Sequence, residues 1–126
     1  CTDPGVICGT GADDELDGTP ENDFICGFGG DDTITGFAGR DCINGGDGDD
    51  FIRGGLGNDI LIGGPGNDDL GGGYGFDNIM GGNGNDTLRG WNGNDALDGG
   101  AGVDQLIAGS GIDTCRNGES NQGCER

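Results

Sequence analysis

Aspartate is the residue type whose spacing in this chain points most clearly to chemistry. Twelve aspartates recur at intervals of nine residues, and each is followed two places later by an aliphatic residue or, in the last case, by cysteine. Carboxylate oxygens in one register suit a hard cation such as Ca²⁺, which takes about six to eight oxygen ligands. We predict that these twelve residues are metal ligands: Asp14, Asp23, Asp32, Asp41, Asp50, Asp59, Asp68, Asp77, Asp86, Asp95, Asp104 and Asp113.

The residue types that most catalytic sites need are absent or isolated. The chain has no histidine, and its five basic residues are all arginine. Ser110 and Ser120 lie near the C-terminus with no base beside them in the sequence. We therefore expect no enzymatic activity. Calcium also fits better than zinc, which favours histidine or thiolate ligands, or magnesium, which tends to keep its waters.

The charge of the chain is strongly unbalanced. It carries 24 acidic and 5 basic residues, for a net charge of −19. Such a chain repels nucleic acids and anionic membranes and attracts cations. It also has no apolar run of roughly 18 residues, the length needed to cross a bilayer. We expect calcium as a partner, with no nucleic acid and no membrane insertion.

The glycines follow the same period as the aspartates. Glycine supplies 34 of the 126 residues and stands five places before the aspartate from Gly9 through Gly99 and two places before it from Gly30 through Gly111. Residues 54–62 and 81–89 are the most regular copies. The pattern resembles the RTX nonapeptide, G-G-x-G-x-D-x-U-x, of calcium-binding proteins.

The resemblance implies an all-β fold, a parallel β-roll or β-solenoid. It would have two nine-residue repeats per coil and about six to seven coils. Residues 9–116 would form the roll, 1–13 an N-terminal cap segment with disulfide cysteines, and 117–126 a C-terminal cap closed by a disulfide.

Within each repeat we expect the first six positions to form a turn and the last three a short strand with its middle residue pointing inward. One aliphatic residue per nine cannot offset an ordering entropy of about 1–2 kcal/mol per residue. We therefore expect calcium to drive folding. The inward residues would be Leu16, Ile25, Ile34, Ile43, Ile52, Leu61, Leu70, Ile79, Leu88, Leu97 and Leu106.

The resemblance also implies that each ion lies between turns two repeats apart, so that one aspartate and its counterpart two repeats later share it. Two rows of six aspartates leave five gaps each, which sets a ceiling of about ten ions, with about +20 of charge against −19. Ala12, Glu21, Arg40, Phe76 and Ala108 interrupt the pattern. The best sites should therefore involve Asp32, Asp50, Asp59, Asp68, Asp86 and Asp95.

Six cysteines in so short a chain indicate an oxidising compartment. The spacing favours the pairs Cys8–Cys26 and Cys115–Cys124, and an alternative pairs Cys1 with Cys8 and Cys26 with Cys42. A free Cys42 could bridge two molecules. We interpret the sequence as a mature chain whose signal peptide has been removed, and lipidation of Cys1 stays open.

The outward positions of the two expected sheets differ in polarity. If the repeat that contains Asp14 is counted as the first, the sheet formed by the odd repeats is mostly polar on its outer face. On the sheet formed by the even repeats, Phe24, Ile60, Ile62 and Met80 make one face apolar, which is typical of an interaction surface for a second copy or for an extracellular protein or glycan. Further aromatic residues fall in the expected turns, where they would cover the backbone or stack on sugar rings: Phe28, Phe37, Tyr74, Phe76 and Trp91.

These features predict a secreted, calcium-dependent extracellular structural or interaction module from a bacterium. Self-assembly by end-to-end stacking into a filament is the first alternative, because solenoid ends expose unpaired strand edges. Ice binding is a lower alternative, since the outward threonines are few and form no uniform column.

Overall fold

A computed structural model describes residues 5–124, and these residues form two parallel β-sheets with no helix. No helix of the described part could therefore span a membrane. The strands are β1 (Val6–Cys8), β2 (Glu15–Asp17), β3 (Phe24–Gly29), β4 (Thr33–Ala38), β5 (Cys42–Asp47), β6 (Phe51–Leu56), β7 (Ile60–Pro65), β8 (Asp69–Tyr74), β9 (Asn78–Asn83), β10 (Thr87–Asn92), β11 (Ala96–Ala101), β12 (Gln105–Ser110), β13 (Thr114–Arg116) and β14 (Ser120–Gln122).

Successive strands alternate between the two sheets. The odd-numbered strands form one seven-stranded sheet, here called sheet I, and the even-numbered strands form the other, sheet II. Neighbouring strands of a sheet are parallel and offset by two full repeats, so that Ile25 lies beside Ile43 and Ile43 beside Leu61. The chain is thus a β-solenoid with two nine-residue repeats per coil, which confirms the fold expected from the repeat.

The strands are longer and the turns shorter than the sequence predicted. Ten strands, β3 to β12, contain six residues rather than three, and only three residues, such as 30–32, connect one strand to the next. The glycine-rich positions continue the parallel ladder, as where Phe28 lies beside Gly46. The turn itself needs glycine, since Gly48 has a φ of 130°.

The core is a double column of aliphatic side chains between the sheets. Ten are 0–1% exposed, and Ile7, Leu16 and Cys115 are partly buried at the two ends of the column. All eleven residues predicted to point inward therefore do so, although Leu16 is less covered. The buried set is Ile25, Ile34, Ile43, Ile52, Leu61, Leu70, Ile79, Leu88, Leu97 and Leu106.

The last coil is shortened and closed by a disulfide. Leu106 of β12 lies beside Asn121 of β14, so the offset between these strands is shorter than the two full repeats found elsewhere. Cys124 consequently follows β14 instead of occupying its inward position. The predicted bond to Cys115 is confirmed, with the two Cα atoms 5.7 Å apart.

The predicted pair Cys8–Cys26 is wrong. The two residues lie side by side on β1 and β3, but Cys26 is a free thiol and Cys8 is disulfide-bonded. Directly opposed residues of parallel strands project side by side rather than toward each other, which does not favour a bond. Cys42 is also free, so Cys26–Cys42 does not form, because these residues lie two positions out of register. The predictions for Cys1, its pairing and its lipidation, fall outside the described residues.

Candidate calcium-binding columns

The twelve predicted aspartates form two columns, one along each edge of the roll. Each aspartate is the last residue of a turn, directly before a strand. Eleven are buried, with 0–5% of their surface exposed, and Asp14 at the N-terminal end is half-buried. We number the columns by repeat, with the repeat of Asp14 as the first. The odd column precedes the strands of sheet II and contains Asp14, Asp32, Asp50, Asp68, Asp86 and Asp104. The even column precedes the strands of sheet I and contains Asp23, Asp41, Asp59, Asp77, Asp95 and Asp113.

In ten of the twelve aspartates, all but Asp14 and Asp23, one carboxylate oxygen is held by the coil before it. The backbone N–H of Asp50 donates to Oδ1 of Asp68 at 2.8 Å, and the same bond recurs at every step of both columns, at 2.8–2.9 Å. These ten bonds fix the orientation of each carboxylate and connect neighbouring coils.

The other carboxylate oxygen, Oδ2, is buried and has no hydrogen-bond partner in ten of the twelve aspartates. A buried, unpaired carboxylate oxygen is strongly unfavourable unless a cation or donor meets it. These oxygens therefore mark the places where a cation would be bound. They belong to Asp32, Asp41, Asp50, Asp59, Asp68, Asp77, Asp86, Asp95, Asp104 and Asp113.

A glycine at the first repeat position makes room for nine of these oxygens. A Cβ atom built on Gly36 would lie against Oδ2 of Asp41 and 2.6 Å from the carbonyl oxygen of Gly54 in the next coil. A carboxylate oxygen and a backbone carbonyl oxygen thus approach one point, and both are ligands that Ca²⁺ prefers. In residues 5–124 no three His, Cys, Asp or Glu side chains converge, so a cation would need such carbonyls.

The two N-terminal aspartates are satisfied differently. Oδ2 of Asp14 accepts the backbone N–H of Thr10 at 2.6 Å and its hydroxyl at 2.9 Å. Thr19 does the same for Asp23, at 2.6 and 3.0 Å. These threonines stand where later repeats have glycine or an aromatic residue, so the first two turns are irregular, as Ala12 and Glu21 had suggested. Asp14 and Asp23 thus have donors at the oxygen that is unpartnered in the other ten aspartates, and their assignment as metal ligands stays a prediction.

Sequence reasoning missed a carboxylate at the other end of the odd column. Oε2 of Glu119 accepts the backbone N–H of Asp104 at 2.7 Å, the bond that an aspartate makes elsewhere. Glu119 follows Asp104 by less than two full repeats because the last coil is shorter, so it falls outside the nine-residue register. The longer glutamate side chain takes the place of the missing repeat.

Sequence reasoning also missed a second ladder, made by the residue before each aspartate. Oδ1 of Asp49 accepts the backbone N–H of Asn67 at 2.8 Å, and Oδ1 of Asn67 accepts that of Asn85 at 2.8 Å. This ladder bonds to the following coil, whereas the ladder of the buried aspartates bonds to the preceding one. The recurrence of Asn or Asp at this position was the available signal.

The other interruptions of the repeat differ in their effects. Asp41 and Asp77 keep their burial and their ladder bonds although Arg40 and Phe76 precede them. Ala108 is different, because it occupies the first position beside Asp113, where the other repeats have glycine. Its methyl group takes space that is open next to the other nine unpartnered oxygens.

The electrostatics of the columns disfavour ionised carboxylates in the absence of a cation. Burial, with a smaller contribution from neighbouring aspartates, raises the pKa of Asp68 and Asp77 to about 7 and that of Asp41 to about 6. Burial also raises the pKa of Asp32, Asp50, Asp59, Asp86 and Asp95. A bound divalent cation would reverse this balance.

The family model of the RTX calcium-binding nonapeptide repeat matches four segments, residues 9–41, 35–70, 71–106 and 95–115. Together they cover most of the chain. The chain belongs to this RTX repeat family. RTX repeats bind calcium, and the aspartates of this RTX chain line the solenoid in the two columns described above. Searches of curated proteins and of solved structures found no match.

Proposed function

We propose that this chain is a secreted, calcium-dependent structural and interaction module without catalytic activity. The observation that carries the proposal is the set of ten buried Oδ2 atoms without a partner. A metal-free roll would retain ten buried carboxylates whose charge nothing compensates. Calcium supplies that charge and bonds to oxygens that hydrogen-bond donors do not reach.

The unpartnered oxygens also support a number of ions. One ion for each gives ten, with about +20 of charge against the −19 of the chain. Nine of these oxygens lie beside a glycine, and the tenth, on Asp113, lies beside Ala108. We therefore propose nine well-formed sites and one weaker site at the C-terminal end of the even column.

The outer face of sheet I is the proposed partner surface. Phe24 is 47% exposed, and Ile60, Ile62 and Met80 are half-buried on the same side of the sheet. Ile60 lies between Cys42 and Asn78 of the neighbouring strands. Ile62 lies between Asn44 and Met80. Apolar side chains in one continuous area favour contact with a protein or with a second copy of the chain.

An extracellular location agrees with the disulfide Cys115–Cys124, since disulfides persist in oxidising compartments. It also agrees with calcium-dependent folding, because extracellular calcium modules work at about 10⁻⁴–10⁻³ M calcium. We propose secretion on these grounds, and a bacterial source only because the chain has RTX repeats.

The alternatives have less support. An end-to-end filament needs open ends, yet the disulfide and Glu119 close the C-terminal end, and Thr10 and Thr19 satisfy the first aspartates. Ice binding would need a regular row of threonines. On sheet II, Thr33 instead lies between Glu15 and Phe51.

Calcium titration followed by far-ultraviolet circular dichroism and by native mass spectrometry tests the proposal. We expect a cooperative gain of β-structure together with the binding of nine or ten calcium ions, and no comparable gain in magnesium. A β-structured chain in excess chelator, with no change on adding calcium, would contradict the proposal.

A further inference from the structure

The outer face of sheet II carries a cluster of rings and guanidinium groups that the calcium columns do not require. We call it the aromatic platform and define it as Phe51 and Arg53 on β6, Asp69 on β8, and Arg89 and Trp91 on β10. It contains two of the five basic residues of a chain with a net charge of −19. The sequence had suggested a mostly polar face here and had placed Trp91 in a turn.

The guanidinium group of Arg53 organises the platform. Its central carbon lies 3.7 Å from the centre of the Phe51 ring and 5.3 Å from that of Trp91, so it stacks against one ring and contacts the other. It also donates to the carbonyl oxygens of Ile52 and Asp69 at 2.8 and 3.0 Å. Both rings thereby lie within contact distance of one rigid, planar group.

Asp69 ties the third strand into the cluster. Its Oδ1 accepts from Arg53 at 2.9 Å and from Arg89 at 2.6 Å, in two ion pairs that are about one-third exposed. One carboxylate thus offsets one of the two positive charges, and the platform keeps a net charge of about +1 within an acidic chain. What the platform presents outward is ring surface and partly exposed polar groups.

Trp91 occupies a repeat position at which φ is positive in every strand from β3 to β12. Trp91 has a φ of 73° at a repeat position that is glycine in most copies. A bulky residue is costlier than glycine in this region of φ. The ring covers Gly71 of the neighbouring strand, where a Cβ atom would come within 2.6 Å of it. Glycine at residue 71 and tryptophan at residue 91 thus fit each other.

The rings remain accessible although they are fixed. Trp91 is 40% exposed and Phe51 is 44% exposed. Uncharged polar residues flank the platform, since Thr87 lies beside Asp69, and Gln105 lies beside Thr87 in the same row of sheet II. A rigid aromatic surface with hydrogen-bonding groups at its edge is suited to a flat ligand with one apolar face and many hydroxyl groups.

We propose that the aromatic platform binds a neutral oligosaccharide. A pyranose ring has an apolar C–H face that can stack on Trp91 and Phe51, and hydroxyl groups that can bond to Arg89 and Asp69. Anionic glycans and nucleic acids fit less well, because Asp69 offsets one of the platform's two positive charges and the chain as a whole carries a charge of −19. The proposal rests on the calcium-loaded roll, which alone brings the three strands together.

The test uses the whole, non-reduced chain in millimolar calcium. Trp91 is the only tryptophan, so its fluorescence reports directly on binding of cellohexaose, mannohexaose and N-acetylchitohexaose, with hexagalacturonate as the anionic comparison. Calorimetry then compares the variants Trp91→Gly and Phe51→Thr. Both introduce residues that other repeats have at the same position, so both should fold in calcium like the parent.

We expect saturable binding of at least one neutral hexasaccharide and a loss of roughly tenfold or more in affinity in each variant, equivalent to about 1.4 kcal/mol. Phe37→Gly is the matched control, because Phe37 is also an aromatic residue at positive φ on sheet II but has no arginine stacked on it. This variant should bind the oligosaccharide with unchanged affinity.

Three results would overturn the proposal: no neutral oligosaccharide bound by a chain that folds in calcium, binding of hexagalacturonate alone, or an unchanged affinity in Trp91→Gly. A chain that does not fold in calcium would be recognised by circular dichroism. That result would refute the proposed function and the platform with it.

Discussion

Replacing Asp68 with asparagine should change stability in opposite directions with and without calcium. Asp68 lies mid-column, and its Oδ1 accepts the backbone N–H of Asp50. Asparagine keeps that acceptor. It replaces the unpartnered Oδ2 with an amide N–H group near the carbonyl oxygen of Gly81. The variant therefore removes one buried charge without removing the bond between coils.

The magnitude without calcium follows from the raised pKa of Asp68. Burial raises this pKa from 3.8 to about 7. At pH 8 the shift corresponds to at most about 4 kcal/mol against the metal-free fold, and we expect about 2 kcal/mol because solvent and relaxation screen the charge. Asp68→Asn should stabilise the metal-free roll by that amount.

The magnitude with calcium follows from the loss of one site. Binding to the folded chain alone contributes about 4.1 kcal/mol per site when calcium is a thousandfold above its dissociation constant. Subtracting the gain of about 2 kcal/mol leaves a net loss of about 2 kcal/mol in saturating calcium. The stabilities of parent and variant should therefore cross as calcium rises.

The assay is unfolding by urea in calcium, and refolding by trimethylamine N-oxide in chelator, both followed by circular dichroism at pH 8. Asp47→Asn is the matched control, because it removes the same charge from an exposed side chain. A variant that is less stable than the parent in both conditions, or that behaves like Asp47→Asn, would refute the assignment of Asp68 as a calcium ligand.

Three further predictions concern other parts of the roll. Ala108→Gly should open the space beside Asp113 and tighten the weakest calcium site, whereas Gly63→Ala should crowd Oδ2 of Asp68 and raise the calcium concentration needed for folding. Calcium titrations in which Gly63→Ala folds at a lower calcium concentration than Ala108→Gly would contradict this. Burial raises the pKa of Asp41, Asp68 and Asp77 to about 6–7, so the contribution of these carboxyl groups to the stability of the metal-free roll should be fully present below about pH 4 and lost as pH rises through 6–7. Calcium affinity should fall as pH drops through the same range, and circular dichroism and calorimetry between pH 4 and 8 check both. Replacing Cys115 and Cys124 with alanine should cost about 2–3 kcal/mol, with calcium still required for folding, and an unchanged urea midpoint would show that the closed end does not contribute.

The repeat allowed the roll to be predicted because each of its levels has the same period. Every ninth residue supplies an inward aliphatic side chain and a turn aspartate, so register, strand pairing and core follow from one count. Residues such as Ile52 and Asp50 could be placed from that count alone, and both lie where they were expected.

The features that escaped prediction lie where the period breaks or where contacts cross between coils. Glu119 replaces an aspartate because the last coil is shorter than the others. Cys26 remains free because alignment on adjacent strands does not by itself turn two thiols toward each other. The platform around Arg53 joins three strands whose residues are 16–20 positions apart, and no local pattern signals such a contact.

Small-angle X-ray scattering of the non-reduced chain, first in excess chelator and then in millimolar calcium, tests most directly whether calcium folds this roll. We predict a radius of gyration of about 36 Å without calcium and about 14 Å with it, the values for an unfolded and a folded chain of 126 residues. A radius that already has the folded value in chelator and does not change when calcium is added would contradict calcium-driven folding.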